Sequence, residues 1–233
     1  MKRILHKIIS SISALLPDES IKSSKQKWNS LALDNHKYYI VSKKGQNITD
    51  EQFYETGEEN YRNLILEDPI LKDKLGSFSD KRVLDIGCGA GRLTEFFAKD
   101  FKRADGVDIS EKMVEEAKKR LSHISNVHFV AGDGMHYPFK DDEFDLVFSY
   151  IVFQHMPSVE VVKENFREIK RVLKKDGIAK IQIRGGEKVK KGTWFYGPNF
   201  TASEAKELLD DIGLSVVKMG DDSIKRFFLW LQK

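Results

Sequence analysis

The chain has 233 residues, 40% of them hydrophobic, with 39 Lys and Arg set against 36 Asp and Glu for a formal net charge of +3. Such a length suits one sizeable domain with appendages, and the hydrophobic content excludes disorder throughout. The two signs of charge are interspersed, so no broad basic field invites a nucleic acid, and the lone cysteine, Cys88, excludes an internal disulfide framework and a cysteine-built metal centre. A reducing, cytoplasmic compartment is the expectation, with no metal and no nucleic-acid partner.

The first stretch, MKRILHKIISSISALLP, is amphipathic, basic and free of acid: Ile4, Leu5, Ile8, Ile9, Ile12, Leu15 and Leu16 follow helical spacing, with Lys2, Arg3 and Lys7 between them. Its apolar runs are too short for a secretory core or a membrane span. Three readings stay open for it: a helix packed on the domain or over its active site, a membrane-surface contact through residues 1–16, and an organellar targeting peptide. Residues 20–80, with YYIV at Tyr38–Val41, FYETG at Phe53–Gly57 and a stripe through Tyr61, Leu64, Ile65 and Leu71, read as helices and loops. The expected division is a helical extension or cap over 1–78 and a main domain over 79–233.

After Asp80 short apolar runs alternate with helical patterns, which is the texture of βαβ units around a parallel sheet. Strands are expected near 82–86, 104–108, 127–131, 144–150 and 178–184, with helices near 91–100, 110–122 and 158–174, the last closed by Asp176-Gly177. Thr201 and Glu204 form a capping-box start for a helix to about Ile212. Strands near 214–219 and 226–232, joined through GDDS, are able to pair as an antiparallel hairpin.

Between the first strand and its helix runs VLDIGCGAGRLTEFFA, Val83–Ala98, with glycine at 87, 89 and 91. Bare backbone at a strand end lets a bulky ligand approach unpaired amides. A dinucleotide fingerprint needs glycine at 87, 89 and 92, but position 92 is Arg92. Asp85, two residues ahead of the first glycine, would repel a pyrophosphate and welcome an ammonium group.

These residues resemble the first motif of class I S-adenosylmethionine-dependent methyltransferases, and the likeness continues in order from about 81 to 184. It implies an α/β fold: a doubly wound, mostly parallel seven-stranded Rossmann-like sheet with a C-terminal antiparallel hairpin and an N-terminal helical cap. It implies S-adenosyl-L-methionine as cofactor, with S-adenosyl-L-homocysteine as product. In GVDIS, Asp108 is similar to the acid that binds both ribose hydroxyls, although a dehydrogenase also places an acid there. In VHFVAGDGMHYPF, Asp133 resembles the acid that takes the adenine amino group, with the backbone of Gly134 and Met135 beside the ring. Asp108 and Asp133 also read as helix caps or turn formers. Ile109 and Met113 suit either the adenine face or a helix core. Cys88, between Gly87 and Gly89, reads as a small spacer lining the cofactor and not as a nucleophile; Gly91 completes the turn.

EFDLVFSYIVFQHM resembles the fourth strand and the loop that faces the transferable methyl, with Ser149 on the cofactor side and Tyr150 and Gln154 shaping the acceptor pocket. If a general base is used, His155 is the candidate, with His136 a weaker one. Arg62, Tyr54 and Arg92 are available for the cofactor carboxylate, and spacing does not choose among them. Trp194, Phe195 and Tyr196, near Lys188, Lys190 and Lys191, suit either an acceptor cover or a solvated loop with aromatics tucked into the core. The implied function is methyl transfer to a hydroxyl or amine of a small molecule; alternatives are a protein methyltransferase and a non-catalytic cofactor-binding regulatory domain. The loop lacks the Asn/Asp-Pro-Pro-aromatic pattern of base-amine methylation.

Overall fold

The computed structural model describes residues 16–41, 47–186, 197–221 and 226–233. Helices come first: α1 (Leu16–Ile40), α2 (Asp50–Tyr61), a π turn (Arg62–Leu66) and α3 (Pro69–Leu75). The αβ series follows as β1 (Arg82–Ile86), α4 (Thr94–Asp100), β2 (Arg103–Asp108), α5 (Glu111–Arg120), β3 (Val127–Ala131), β4 (Phe144–Ser149), α6 (Val159–Val172) and β5 (Leu173–Gln182). The chain closes with α7 (Ala202–Ile212), β6 (Ser215–Asp221) and β7 (Phe227–Gln232). Among the described residues no helix is long and apolar enough to cross a membrane.

The sheet has seven strands in the order β3-β2-β1-β4-β5-β7-β6. Pairings from β3 through β5 are parallel, and β7 runs antiparallel to both β5 and β6. The order reverses between β1 and β4, and open α/β sheets bind ligands at such a switch point, beyond the carboxyl ends of the strands.

Alternation along the strands sorts side chains onto two buried faces. Leu84, Val147, Ile181, Leu229 and Leu231 pack with Phe166 and Ile169 of α6 and Leu209 of α7. Val83, Phe148, Phe228 and Trp230 pack on the other face with Phe96 and Phe97 of α4 and Leu64 and Leu71. A buried ion pair crosses that second face: the Lys180 ammonium donates to Asp68 Oδ2 and the Leu64 carbonyl, both at 2.7 Å, and Trp230 Nε1 donates to the same carboxylate at 2.8 Å. Burial opposes ionisation of Asp68, but the Lys180 charge and these bonds outweigh it and hold its pKa below the usual value. Asp68 also caps α3, so one carboxylate fastens the helical segment to the sheet.

The Thr201–Glu204 capping box and the terminal antiparallel pair form as expected. One local expectation is corrected. Asp176-Gly177 does not close a helix: α6 ends at Val172 and the chain enters β5 at Leu173, leaving Gly177 inside the strand. A Cβ there would lie 3.0 Å from the carbonyls of Phe144 and Asp145, so this glycine serves close strand packing where the register shifts between Phe144 and Leu146. Residues 1–15 and the 194–196 aromatic cluster lie outside the described residues.

Candidate functional site

A cavity opens at the switch point, walled by the turns after β1, β2 and β3, the loop after β4, and α1. The first wall is backbone. Gly87, Gly89 and Gly91 have φ of +70°, +54° and +76°, where a side chain is strained. A Cβ on Gly87 would come within 2.2 Å of Val152, and one on Gly89 within 3.0 Å of Ile40. Glycine is therefore required twice over at the first position, by conformation and by space.

Behind this turn lie two acids, Asp85 buried and Asp108 half-buried. Asp108 accepts from the amides of Gly89 at 2.9 Å and Ser110 at 2.8 Å, so it pins the glycine turn to the start of α5. Burial pushes its pKa up against those two bonds. Asp85, 4% exposed, accepts from Thr94 Oγ1 at 2.7 Å. Burial carries its pKa up to about 7, against the Thr94 bond and the charge of Arg92 and with help from Asp108.

Arg92, 7% exposed, lines the same cavity. One guanidinium nitrogen donates to the Thr56 carbonyl at 2.9 Å, while Nε is buried with no hydrogen-bond partner. Burial lowers its pKa to about 10. A buried donor left unsatisfied is costly, which marks it as a contact for something the protein receives. Tyr54 is instead tied to Lys99, and Arg62 is not among the lining residues.

Of the other residues singled out by sequence, Cys88, Ile109, Met113 and Gly134 line the cavity, as do Tyr150 and His155. The Cys88 sulfur packs where a Cβ on Gly106 would be, 2.8 Å away, and burial pushes its thiol well above the ordinary value, so it is neutral and unreactive. Gly91, Asp133, Met135, Ser149 and Gln154 are not lining residues. Gly91 faces Leu121 and Phe129, and Ser149 donates to the Ile86 carbonyl at 3.0 Å, bracing β4 on β1. The Asp133 carboxylate folds back on its own loop, accepting from the amides of Met135 at 2.8 Å and His136 at 2.6 Å and lying 2.9 Å from His136 Nδ1. The bond to Asp133 raises the His136 pKa. Trp194 and Tyr196 lie outside the described residues.

Sequence reasoning expected a helical cap but assigned none of the residues of α1 to the site. Ile21, Ser24, Trp28, Tyr39 and Ile40 of α1 all line the cavity. Non-helical backbone at Asn35 breaks α1, and the Asn35 side chain accepts from the Tyr38 amide at 3.1 Å, starting the short second segment that carries Tyr39 and Ile40. The first segment is latched to α5: Asn29 Oδ1 accepts from the Ser110 hydroxyl at 2.7 Å and the Lys112 amide at 3.2 Å, and Lys25 pairs with Glu111 at 2.6 Å. Asn165 of α6 was also missed; it donates to the Gly134 carbonyl at 2.9 Å and accepts from the Tyr137 hydroxyl at 2.6 Å, bracing the loop after β3. Only the helical pattern of residues 20–80 hinted at a roof, since no spacing ties it to a distant strand end.

The side-chain lining that accompanies His155 is largely aromatic and aliphatic, with Trp28, Tyr150, Met156 and Pro157, while Val152 and, from the roof, Ile40 reach the glycine turn. Trp28 meets the His155 ring edge-on, centroids 5.6 Å apart. The cavity holds two opposite buried charges and a fixed carboxylate beside the glycine turn, and an imidazole within a mostly apolar lining.

A family model described as a methyltransferase domain matches residues 83–177. A demethylmenaquinone methyltransferase from Staphylococcus haemolyticus is 34% identical over 115 residues, 47% of this chain and 45% of that protein. An uncharacterized protein from Methanocaldococcus jannaschii is 34% identical over 147 residues, 59% of this chain and 66% of that one. The chain thus matches under half the length of the staphylococcal enzyme. Among solved structures, a magnesium protoporphyrin IX methyltransferase from Synechocystis with bound S-adenosylhomocysteine shares the fold at a TM-score of 0.66 and 19% identity, over 90% of this chain and 98% of that one.

Proposed function

The chain belongs to the class I S-adenosylmethionine-dependent methyltransferases, and from that premise we propose that it moves a methyl group from S-adenosylmethionine to an oxygen or nitrogen of a small-molecule acceptor. The observation that carries this reading is the pairing of Asp85 with an incompletely satisfied, buried Arg92 beside the glycine turn. An amino-acid end with one ammonium and one carboxylate fits that pair, whereas a pyrophosphate would meet Asp85 as a like charge.

When bound, the cofactor supplies a methyl carbon made electrophilic by its sulfonium. Asp85 would face the ammonium and Arg92 the carboxylate, Asp108 would accept the ribose hydroxyls, and Ile109 with the braced backbone of Gly134 would flank the adenine. The α1 roof supports a small acceptor over an extended peptide, because Trp28 of α1 lines the same cavity as Tyr150 and Met156 of the loop after β4. The chemistry the cofactor would supply is displacement at that carbon, with sulfur keeping the electron pair of the broken bond and the acceptor's proton going to water. The protein's part is alignment and exclusion of solvent, and positioning of this kind is worth about 7 kcal/mol or more of barrier.

Calorimetric titration with S-adenosylmethionine and with a nicotinamide dinucleotide tests the reading, followed by transfer of a labelled methyl to hydroxyl and amine acceptors. Binding of the former alone, with label appearing in a small acceptor, is expected. Preference for the dinucleotide overturns the reading, and cofactor binding without transfer to any acceptor would favour a regulatory role.

A further inference from the structure

Both oxygens of the Asp133 carboxylate are engaged within its own loop. Oδ1 accepts from the amides of Met135 at 2.8 Å and His136 at 2.6 Å, and Oδ2 lies 2.9 Å from His136 Nδ1. The carboxylate does not line the cavity, whereas the imidazole does. Burial opposes ionisation of Asp133, but these bonds outweigh it and hold its pKa below the usual value. An ionised carboxylate only accepts, so the ring proton belongs on Nδ1 and Nε2 carries the lone pair of the neutral ring. Among the described residues no protein group bonds Nε2.

The backbone on either side of the ring is fastened to α6. Asn165 donates to the Gly134 carbonyl at 2.9 Å, Glu168 Oε2 accepts from the Tyr137 amide at 2.8 Å, and Arg171 donates to the carbonyls of Tyr137 at 2.9 Å and Phe139 at 2.8 Å. Asn165, Glu168 and Arg171 follow one another at single-turn spacing along one helix face, so the loop takes its shape from a rigid element. Gly134, two residues before the ring, abuts Ile109: a Cβ there would lie 2.7 Å from Ile109 Cδ1. His136 thus stands in the same loop as the backbone that would flank the adenine.

Resting on the methyltransferase reading above, we propose that His136 is the specificity-determining contact for the purine, its Nε2 accepting from the adenine 6-amino group, and that Asp133 is a positioning residue which sets the tautomer without touching the ligand. A 6-oxo purine offers a lone pair where adenine offers a proton, so two acceptors would meet and that base would be rejected. Protonation reverses the preference, because Nε2–H donates. The Asp133 bond raises the His136 pKa against partial burial, and the charges of Asp133 and of Glu168 and Glu164 on α6 add to it. Preference for adenine is therefore full above that pKa and declines as pH falls through it.

Calorimetric titration of the full chain with S-adenosylhomocysteine and with its deaminated 6-oxo counterpart, S-inosylhomocysteine, tests this. The ratio of the two affinities cancels the contacts to the amino-acid end and the ribose, which both ligands share. At about pH 8.5 the adenosyl compound should bind at least about tenfold more tightly, and the ratio should shrink at least about threefold by about pH 5.5. His136→Phe keeps a ring without a lone pair, on a side chain 59% exposed, and should bring the ratio to within about threefold of unity at either pH. Asp133→Asn keeps Oδ1 for the two amides but turns an NH₂ toward Nδ1, which favours Nε2–H, so the ratio at about pH 8.5 should fall to unity or below. A merely structural Asp133 would weaken both ligands alike and leave the ratio unmoved, which would overturn its positioning role. An unchanged ratio in His136→Phe, or a ratio near unity in the parent chain, overturns the His136 contact while the methyltransferase reading stands. Failure of the parent chain to bind either compound sinks that reading and the proposal with it.

Discussion

The two ends of the cavity are built from different material. Around Gly87, Gly89, Asp85 and Asp108 the walls are strand ends and backbone amides, held by bonds within one βαβ unit, such as Gly89 to Asp108 and Thr94 to Asp85. Around Trp28, Tyr150 and His155 they are side chains drawn from α1 and the loop after β4, held by long-range contacts such as Asn29 to Ser110 and Gln182 to Ile151. A backbone wall recognises a constant ligand, since changing it requires rebuilding the sheet. A side-chain wall can be re-cut one residue at a time, and acceptor choice belongs there.

If that contrast holds, the largest effect comes from the backbone-built end. Asp108→Ala removes a half-buried carboxylate offered to two hydroxyls, at about 1.5–3 kcal/mol for each charge-assisted bond, so cofactor affinity should fall about 100-fold or more by calorimetry. Unchanged affinity would break the assignment of this end to the cofactor.

Asp85 sharpens the contrast through opposing effects on binding and stability. Its folded pKa of about 7 lies above the unfolded carboxylate value, so between about pH 4 and 7 the folded chain keeps a proton that the unfolded chain releases. Its contribution to stability is thus most favourable below about pH 4 and declines as pH rises toward 7. Asp85→Asn abolishes that cost and preserves an oxygen for Thr94; the thermal midpoint at pH 8 should rise by a few degrees, at about 2–4 °C per kcal/mol for a domain of this size. Cofactor affinity should fall about tenfold or more, because an ammonium needs the anion. In the parent chain affinity should strengthen between pH 6 and 8, by at most about tenfold per unit below the Asp85 pKa. A flat affinity profile, or a variant that is less stable, would count against the buried-acid role.

The smallest effect is predicted at the roof. Trp28→Ala removes an aromatic partner of His155, worth about 0.5–1.5 kcal/mol, so the KM for the acceptor should rise about threefold to tenfold while cofactor affinity moves less than twofold. An equal loss at both ligands would show that α1 serves the cofactor end as well.

How much of the site was legible followed the same division. Asp85, Gly87 and Gly89 were readable because a strand and its turn are consecutive in the chain, and Asp108 through the resemblance, at the end of the next strand of the same βαβ unit. The donor for the carboxylate was not: Arg92, Arg62 and Tyr54 all offer the right chemistry, and it is packing that buries Arg92 against the Thr56 carbonyl and spends Tyr54 on Lys99. Asp133 was read as facing the adenine, whereas the structure turns its carboxylate onto the amides of Met135 and His136, a competition that short polar side chains enter readily in turns.

By itself, then, the sequence determined the alternation of strands and helices, the glycine turn with its acids, and the antiparallel close, because hydrophobic period and left-handed backbone are local properties written in consecutive residues. Which residues of the roof line the cavity, and the burial of Arg92, were decided only by tertiary structure. Each depends on groups dozens of residues apart, such as Asn29 with Ser110 and Ile151 with Gln182, and no local period encodes which distant partner a hydrogen bond will find once the sheet is assembled.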